Sequence, residues 1–581
     1  MSTLDLSLWI DEVSVDEAMR HTAAIAQWVR LSGTDDERAA FDYIDGELRG
    51  YGLTTRLHLP TCLVSLPISG SLRVGDENIA GCITHSFSIS TGAEGLAGEL
   101  VYAGRGTEAE LRAAGAAGKI ALTDGLATPN KAHDATTAGA LAVVSISGDR
   151  VHEMIVSPVW GSPTLDTLQA LPTVAMLSVD TAAGERLKAR LEEGRQRAHI
   201  HTVVDTGWRP IPVLLADIDV DENDREYVMF SGHVDSWHYG AMDNATANAT
   251  MMETARILVA HRDALRRGVR FAFWSGHSHA RYAGSTWFAD RYWFDLRDRC
   301  VAHVNVDSTG AIGATQLSGA NTMADTYPFA REIIGRQTDQ DLTYRRFGRA
   351  GDQSFWGVGL SSFFMSLSEQ GVENEMTADQ AFLLGGTTAR GGGLGWWWHT
   401  TEDTLDKVDP AHLERDIRVY VETVARLASD EIVALDPGAA LDEIERTVRE
   451  IEPLWAGLPI GSDDDDVGFA ALYADISKAK EAADSVVQRT SSNHDAETMS
   501  RAIVAACKAL VPVNYTRAGE FEHDSAIGAT SVPGLRPLKK VVEMTDTEQW
   551  AATHGLRRSI NRVRFGVRQA ERALSDLSRL E

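Results

Sequence analysis

Histidine and aspartate residues follow short apolar runs between Glu226 and Asp307 of this 581-residue chain. The run YVMFSG leads to His233, VRFAFWSG leads to His277, and VAHVNVD ends at Asp307 itself. Imidazole and carboxylate groups bind zinc and similar divalent ions, and one carboxylate can bridge two ions. The spacing therefore predicts a metal site in this part of the chain. Further candidate ligands are Asp243, His279 and the more distant His399.

The segments between these runs predict how the side chains come together. They have the length and amphipathic pattern of helices, and alternating strands and helices are typical of a parallel sheet. Ligands of such sheets bind beyond the carboxyl ends of the strands, so the candidate residues should converge on one edge. Asp235, two residues after His233, is placed to accept the second ring N–H of a ligating histidine. The predicted fold class is α/β, with a mostly parallel central sheet flanked by helices.

Changes in composition along the chain predict three regions. Residues 1–55 and 205–435 hold N-terminal helices and the candidate ligands, and we assign them to one catalytic domain. Residues 56–204 alternate short β-rich runs with small helices, which predicts an inserted α/β domain. Residues 436–581 are mainly helical in pattern and predict a C-terminal helical domain.

Net charge excludes several classes of partner. The formal charge is -28 at pH 7, whereas nucleic acids and anionic membranes are bound through basic surfaces. The N-terminus is acidic where a signal peptide is basic, and no apolar run is long enough to span a membrane. We therefore expect a cytoplasmic protein without nucleic-acid or membrane partners. Four scattered cysteines without C-x-x-C spacing predict neither a disulfide framework nor a thiolate zinc site.

Motifs in this order resemble the M28 co-catalytic metallopeptidases. They are H-x-D at His233, D-N at Asp243, N-x-D-S at Asp307 and H-T-x-x-D-T-x-D-K-V-D at His399. The layout is most similar to the glutamate carboxypeptidase and transferrin receptor branch, which has an inserted protease-associated domain and a terminal helical domain. The resemblance implies a zinc-peptidase-like fold of the phosphorylase/hydrolase type and a homodimer. It also implies two divalent metal ions, with zinc expected first and manganese or iron as alternatives.

When the metal ligands of the family are carried over to the matching positions, the resemblance implies which residues hold each ion. His233 and Asp307 would hold one ion, His399 would hold the second, and Asp243 would bridge them. The family places a Glu-Glu pair after the next strand, as general base and metal ligand. This chain has GHSHARYAGS instead, and no glutamate occurs between Glu253 and Glu332.

Two alignments of this segment assign different residues to the two positions. Counting back from Gly284 and Ser285 places Ser278 at the base position and His279 at the ligand position. Counting forward from Trp274 places His277 and Ser278 there. We favour His279 as the ligand and keep His277 as a candidate base or additional ligand. The alternative is that both histidines lie in a solvated loop.

Other residues near these motifs are candidates for binding substrate. Arg346 and Arg349 could clamp a carboxylate, although arginines that balance an acidic chain explain them equally well. Trp398 precedes His399 and could line the site, although core packing accounts for most of this tryptophan run. Candidate neighbours of the metal ligands are His238 and Tyr239.

The leading hypothesis is a metal-dependent hydrolase that cleaves an amide or related acyl bond. Its substrate would be a small molecule or short peptide-like compound, anionic or aromatic, and a histidine would replace the usual glutamate base. One alternative is a different metalloenzyme on this scaffold, such as an acyl-transferring cyclase, a lyase or a carbon–carbon hydrolase. A further alternative is an inactive receptor-like homologue, against which the retained His and Asp residues argue.

Overall fold

The structure, a computed structural model, describes residues 6–220, 225–371, 394–459, 468–490, 496–528 and 530–575. Two eight-stranded sheets form its framework. The first sheet holds the strands that end at the candidate ligands. In spatial order its strands are β1 (Thr54–His58), β10 (Val213–Ile218), β12 (Gly268–Trp274), β11 (Tyr227–His233), β13 (Cys300–Asn305), β16 (Ser362–Phe363), β14 (Asn321–Thr322) and β15 (Arg345–Arg346).

The centre of this sheet is parallel and completely buried. Strand β11 pairs in parallel with β12 on one side and β13 on the other, and β13 pairs in parallel with β16. Every residue of β11, β12 and β13 is buried, which agrees with their mainly apolar sequences. The register places His233 opposite Trp274, so the chain after both strands leaves from the same edge.

The second sheet is built from residues between Thr61 and Pro210. In spatial order its strands are β3 (Glu77–Ile79), β2 (Thr61–Val74), β9 (Gln196–Pro210), β5 (Leu96–Tyr102), β6 (Ile120–Asp124), β7 (Ala142–Ile146), β8 (Ala175–Val179) and β4 (Ile83–Thr84). Long antiparallel strands β2 and β9 connect it to the first sheet, and β5 to β8 are parallel. This is the segment in which the inserted domain is predicted.

Helices flank the sheets and form most of the C-terminal part. Those preceding or within the two sheets are α1 (Ser7–Ile10), α2 (Val15–Ile25), α3 (Asp35–Tyr51), α4 (Glu108–Ala113), α5 (Pro129–Ala138), α6 (Thr181–Glu193), α7 (Ala247–Ala260), α8 (Ala283–Arg291), α9 (Trp293–Arg299) and α10 (Tyr327–Gln337). Those that follow are α11 (Pro410–Ser429), α12 (Pro437–Ile451), α13 (Phe469–Thr490), α14 (Ala496–Tyr515) and α15 (Asp546–Ser575).

Short helical turns complete the secondary structure. They are Leu168–Ala170, Ala241–Thr246, Arg262–Ala264, Leu405–Lys407, Glu452–Trp455, Pro533–Leu535 and Val541–Glu543. The mixed α/β architecture confirms the predicted fold class, including the helical C-terminal region. Among the described residues, no helix has both the length and the apolar character needed to cross a bilayer.

The N-terminal helices pack on the first sheet and are fixed by side-chain caps. Thr34 accepts the Glu37 N–H at the start of α3, and Gly52 ends the same helix with φ of 96°. Burial of Phe41, Ile44 and Leu48 joins this helix to the core that also contains β11 and α7. The N-terminal segment therefore belongs to the same core as the ligand-bearing strands.

A buried histidine of α2, His21, packs against α3 and should make the stability of the protein depend on pH. His21 lies 2.9 Å from the Tyr43 hydroxyl through Nδ1 and 2.8 Å from the Tyr51 hydroxyl through Nε2. Burial lowers the pKa of His21 from 6.5 to about 4. Between pH 4 and pH 6.5, His21 therefore binds a proton more readily in the unfolded chain than in the folded one. The contribution of His21 to the free energy of unfolding should be constant above pH 6.5 and fall by about 1.4 kcal/mol per pH unit below it.

Urea denaturation of the His21→Gln variant between pH 7 and pH 4 measures this contribution. The variant should show a smaller loss of stability with acid than the wild type, whereas the exposed His133→Gln control should follow the wild type. Parallel curves for His21→Gln and the wild type would contradict the assignment.

Candidate metal centre

Three side chains meet beyond the carboxyl end of β11. His233 Nε2 lies 3.3 Å from Asp243 Oδ1, and His399 Nε2 lies 3.3 Å from Asp243 Oδ2. The Asp243 carboxylate thus stands between the two imidazoles, with one oxygen facing each ring. This is the arrangement in which a carboxylate can bridge two ions.

Backbone carbonyls fix the protonation of both imidazoles. His233 Nδ1 donates to the Asp235 carbonyl over 2.9 Å, and His399 Nδ1 donates to the Glu153 carbonyl over 2.7 Å. A carbonyl oxygen can only accept, so the neutral ring carries its proton on Nδ1 and its lone pair on Nε2. Both lone pairs therefore face Asp243.

Asp307 and His277 complete the group around His233. Asp307 Oδ2 lies 3.7 Å from His233 Nε2, and its Oδ1 accepts from the Ser308 hydroxyl. The His277 ring stacks on the His233 ring with centroids 3.7 Å apart. One ligand atom from each of His233, His277 and Asp307 lies within 4.8 Å of the other two. The structure therefore brings His277 to the centre as a potential ligand or proton acceptor.

The His277 imidazole is held from behind by a buried carboxylate. Asp352 Oδ2 lies 2.9 Å from His277 Nδ1, and Asp352 Oδ1 accepts from the Ser285 hydroxyl over 2.8 Å. A carboxylate at Nδ1 places the proton there and leaves Nε2 free to accept another. His277 and Asp352 thus form a hydrogen-bonded dyad beside the candidate metal ligands.

Asp235 organises the segment that contains His277, Ser278 and His279. Its carboxylate accepts the N–H groups of His277 over 3.2 Å and Ser278 over 2.8 Å, as well as the Ser32 hydroxyl over 2.7 Å. Burial alone would raise the pKa of Asp235, but hydrogen bonding and the nearby histidines hold it below its usual range. Ser278 contributes its backbone N–H to this turn.

His279 faces a different environment from His277. Its Nδ1 lies 3.1 Å from the Ser32 hydroxyl, and its ring packs 4.3 Å from the Trp237 ring. Its Nε2 is buried, and no described residue forms a hydrogen bond with it. The assignment of His279 as a metal ligand stays a prediction, and the choice between His277 and His279 stays open.

The loop that carries Asp243 is anchored by another aspartate. Asp403 accepts the Met242 N–H at Oδ1 and the Asp243 N–H at Oδ2, both over 2.9 Å. Burial raises the pKa of Asp403 to about 7, although these two hydrogen bonds oppose the increase. Asp403 belongs to the same motif as His399, so this segment supplies both a candidate ligand and the anchor of a second one.

The segment of the second sheet also contributes to the centre. Besides holding His399 Nδ1, Glu153 donates its N–H to the His399 carbonyl over 2.9 Å, and His152 Nδ1 donates to the Trp398 carbonyl over 2.6 Å. His399 has φ of 60°, which an L residue rarely adopts. Residues 152–153 therefore fix the main chain and the imidazole of His399 together.

A divalent cation fits the donor set that these residues present. His233 Nε2 and Asp243 Oδ1 are buried and have no hydrogen-bond partner among the residues that the structure describes. Buried polar atoms of this kind are costly unless something satisfies them. A cation between the imidazole lone pairs and the carboxylate oxygens that face them would satisfy both kinds of group.

The residues predicted to contact substrate lie at different distances from this centre. The Trp398 ring stacks on the His399 ring with centroids 3.5 Å apart. His238 and Tyr239 lie in the loop between His233 and Asp243; Tyr239 is 46% exposed, and burial, followed by the charge of His399, lowers the pKa of His238. A role of these three side chains in binding substrate stays a prediction.

The two arginines make contacts within the protein instead. Arg346 pairs with Glu443 over 2.6 Å, donates to the Asn514 carbonyl and stacks on the Tyr515 ring. Arg349 is sandwiched between the rings of Trp160 and Trp356 and donates to the Asp524 carbonyl. A role as carboxylate clamps stays a prediction, and Arg346 would have to leave Glu443 to fulfil it.

Sequence reasoning missed several residues that shape the centre. Asp352 was not predicted, because its contact with His277 spans 75 positions of the sequence. Asp403 lies in the H-T-x-x-D motif, whose spacing from His399 could have suggested a supporting role. Arg30 and Ser32 gave no signal, because a loop between two helices has no pattern that identifies its partners.

Known proteins with similar sequences cover the part of the chain that carries this centre. The sequence profile described as "Peptidase family M28" matches residues 214–424. "Aminopeptidase NAALADL1" of Mus musculus is 36% identical over 123 residues, which cover 20% of this chain and 15% of that protein. "Probable glutamate carboxypeptidase VP8" of Zea mays is 32% identical over 250 residues, which cover 40% of this chain and 33% of that protein.

A solved structure supports the same fold. The zinc aminopeptidase BSAP from Bacillus subtilis superimposes with a TM-score of 0.53 at 19% identity, covering 72% of this chain and 96% of that one. The parallel sheet, with the histidine and aspartate cluster at its carboxyl edge, thus gives this part of the chain the α/β fold of that aminopeptidase. Residues 214–424 are a peptidase family M28 domain, and the family resemblance seen in the sequence is confirmed.

The contacts of Asp403 give a prediction for the Asp243 loop. Asp403→Ala should lower the free energy of unfolding by about 2–6 kcal/mol, because each of two buried N–H groups left without an acceptor costs about 1–3 kcal/mol. Asp406→Ala, which alters an exposed carboxylate in the same segment, should cost less than about 0.5 kcal/mol. Urea denaturation at pH 7 measures both, and equal small losses would show that Asp403 does not anchor the loop.

Proposed function

We propose that this protein is a metal-dependent hydrolase that cleaves an amide or related acyl bond. The observation that carries this proposal is the position of Asp243 between two imidazoles whose lone pairs both face it. Four side chains, His233, Asp243, Asp307 and His399, would hold up to two divalent ions. Zinc is the first candidate, because the BSAP structure with the same fold is described as a zinc aminopeptidase.

The bound ions would polarise the substrate carbonyl and lower the pKa of the attacking water. His277 Nε2 would accept the proton that this water loses as its oxygen bonds to the carbonyl carbon. His277 would then return the proton to the leaving nitrogen when the carbon–nitrogen bond breaks. Asp352 would keep the His277 ring oriented and stabilise its charged form, as a carboxylate does for a catalytic imidazole.

The absence of the family's Glu-Glu pair from the segment GHSHARYAGS affects which substrates the centre would favour. If the neutral His279 imidazole takes the place of the family's glutamate ligand, the charge of the centre is more positive by one unit. An anionic substrate would therefore be favoured over a neutral one of the same shape. The Trp398 ring beside His399 offers an apolar surface to an aromatic or aliphatic group of that substrate.

The alternative to amide hydrolysis is that the same centre catalyses another metal-dependent reaction. The observation in its favour is that the His277 ring stacks on the His233 ring while Asp352 Oδ2 lies 2.9 Å from His277 Nδ1. An acyl-transferring cyclase, a lyase or a carbon–carbon hydrolase could use this dyad for proton transfer. Product analysis with amides, N-acyl amino acids and β-dicarbonyl compounds separates these reactions from amide hydrolysis. Homodimer formation and a cytoplasmic location stay predictions.

Metal analysis tests the proposed centre and excludes a receptor-like protein without metal. Protein purified from zinc-supplemented growth should contain up to two zinc ions per chain. His233→Ala and His399→Ala should each lower this content, because each removes an Nε2 that faces Asp243. His261→Ala, which alters a histidine paired with Glu12 at the surface, should keep it. Absence of zinc from the wild-type protein would refute the proposal.

Kinetics of a His277 variant test the proposed proton transfer. His277→Gln should lower kcat by about 10²–10⁴, the usual contribution of a general base, while the zinc content stays unchanged. Asp352→Asn should lower kcat less, because the imidazole remains but loses its orientation. His412→Gln, which alters a histidine bonded to the Ala311 carbonyl, serves as the control. Unchanged kcat in His277→Gln would contradict this role, and loss of zinc would make His277 a ligand.

A further inference from the structure

A buried arginine lies beneath the loop that joins the first two candidate ligands. Arg30 belongs to the segment between α2 and α3, and its side chain is 0% exposed. The loop above it runs from Val234 to Gly240, directly between His233 and Asp243. The N-terminal segment thus reaches the backbone of the candidate metal centre.

The guanidinium of Arg30 spans this loop from end to end. Nε donates to the Val234 carbonyl over 2.8 Å, Nη1 to the Tyr239 carbonyl over 2.7 Å and Nη2 to the Gly240 carbonyl over 3.0 Å. The same Nη1 also donates to the carbonyls of Ile25 and Trp28 over 3.0 Å each. The side chain therefore ties both ends of the loop to the end of α2.

The main chain of Arg30 reinforces the middle of the loop. Its carbonyl accepts the Ser236 N–H over 2.8 Å, and its N–H donates to the Ser236 hydroxyl over 3.3 Å. The described contacts of Arg30 thus meet the loop at its beginning, its middle and its end. Gly240 has φ of 51°, and a Cβ there would approach the Asp243 carbonyl oxygen to 2.2 Å. The loop has little freedom to take another path.

The partners of Arg30 also explain why an arginine is required. Among the described residues, the Arg30 guanidinium donates to backbone carbonyls rather than to a carboxylate, so its contacts are set by geometry. A planar guanidinium presents N–H groups in several fixed directions, whereas a lysine ammonium presents three from one point. A lysine could reach one end of the loop but could not hold Val234 and Gly240 together.

We propose that Arg30 is a positioning residue that sets the separation of His233 and Asp243 and thereby the affinity of the centre for its metal. This inference rests on the proposed metal-dependent function. Arg30 makes no contact with the metal or the substrate in this account. It acts through the loop carbonyls, and its positive charge attracts the nearby carboxylates of Asp403, Asp235 and Asp243.

The test compares Arg30→Lys with Arg267→Lys in the full-length protein. Arg267 is a matched control, because it is 5% exposed and donates to the carbonyls of Leu427, Asp430 and Glu431, away from the loop. Zinc affinity is measured by competition with a chelator, and the melting temperature is measured with and without zinc. Arg30→Lys should weaken zinc binding at least tenfold and reduce the zinc-induced rise in melting temperature. Arg267→Lys should lower the melting temperature of the metal-free protein but keep the wild-type zinc affinity.

The outcomes separate this inference from the proposed function. If the wild type binds no zinc, the proposed function fails. If the wild type binds zinc and Arg30→Lys binds it equally tightly, Arg30 has only a structural role and this inference alone is overturned. Should Arg30→Lys not fold, Arg30→Gln keeps an amide donor at this position and is measured in the same way, with the same two interpretations.

Discussion

Hydrogen bonds from His233 Nδ1 and His399 Nδ1 to backbone carbonyls determine what the candidate metal centre can do. With both ring protons held there, the two Nε2 lone pairs face the oxygens of Asp243. If either proton moved to Nε2, that imidazole would donate to Asp243 and could not bind a cation. The path of the chain around the centre therefore matters as much as the identity of the ligands, since backbone carbonyls fix the tautomers.

Three parts of the chain that are distant in sequence hold the loops and imidazoles of the candidate metal centre in place. Arg30 of the N-terminal segment holds the loop after His233, and Glu153 of the second-sheet segment holds His399. Asp403 holds the N–H groups at Asp243 from a third direction. The core of the first sheet provides the rigid edge from which these loops leave. A change in the second-sheet segment can thus alter the metal centre without touching a ligand.

Those parts of the centre that follow from the order of the strands could be predicted from the sequence. Contacts between residues far apart in the sequence could not. Parallel strands end at one edge, so the meeting of His233 and Asp243 followed from the apolar runs and their spacing. The parallel, buried sheet followed from the same runs. No periodicity could show that Asp352 would meet His277, or that the Arg346 guanidinium would be occupied by Glu443, 97 positions away. Such contacts depend on packing between regions rather than on local pattern.

Anomalous scattering from zinc-loaded crystals tests the central claim most directly. The account predicts a peak at the zinc edge within about 2.0–2.2 Å of His233 Nε2 and an oxygen of Asp243, the distances of zinc–nitrogen and zinc–oxygen bonds. A second peak would lie between Asp243 and His399. Crystals soaked with zinc that show no peak at Asp243, with the His233 Nε2 turned to another partner, would contradict the account.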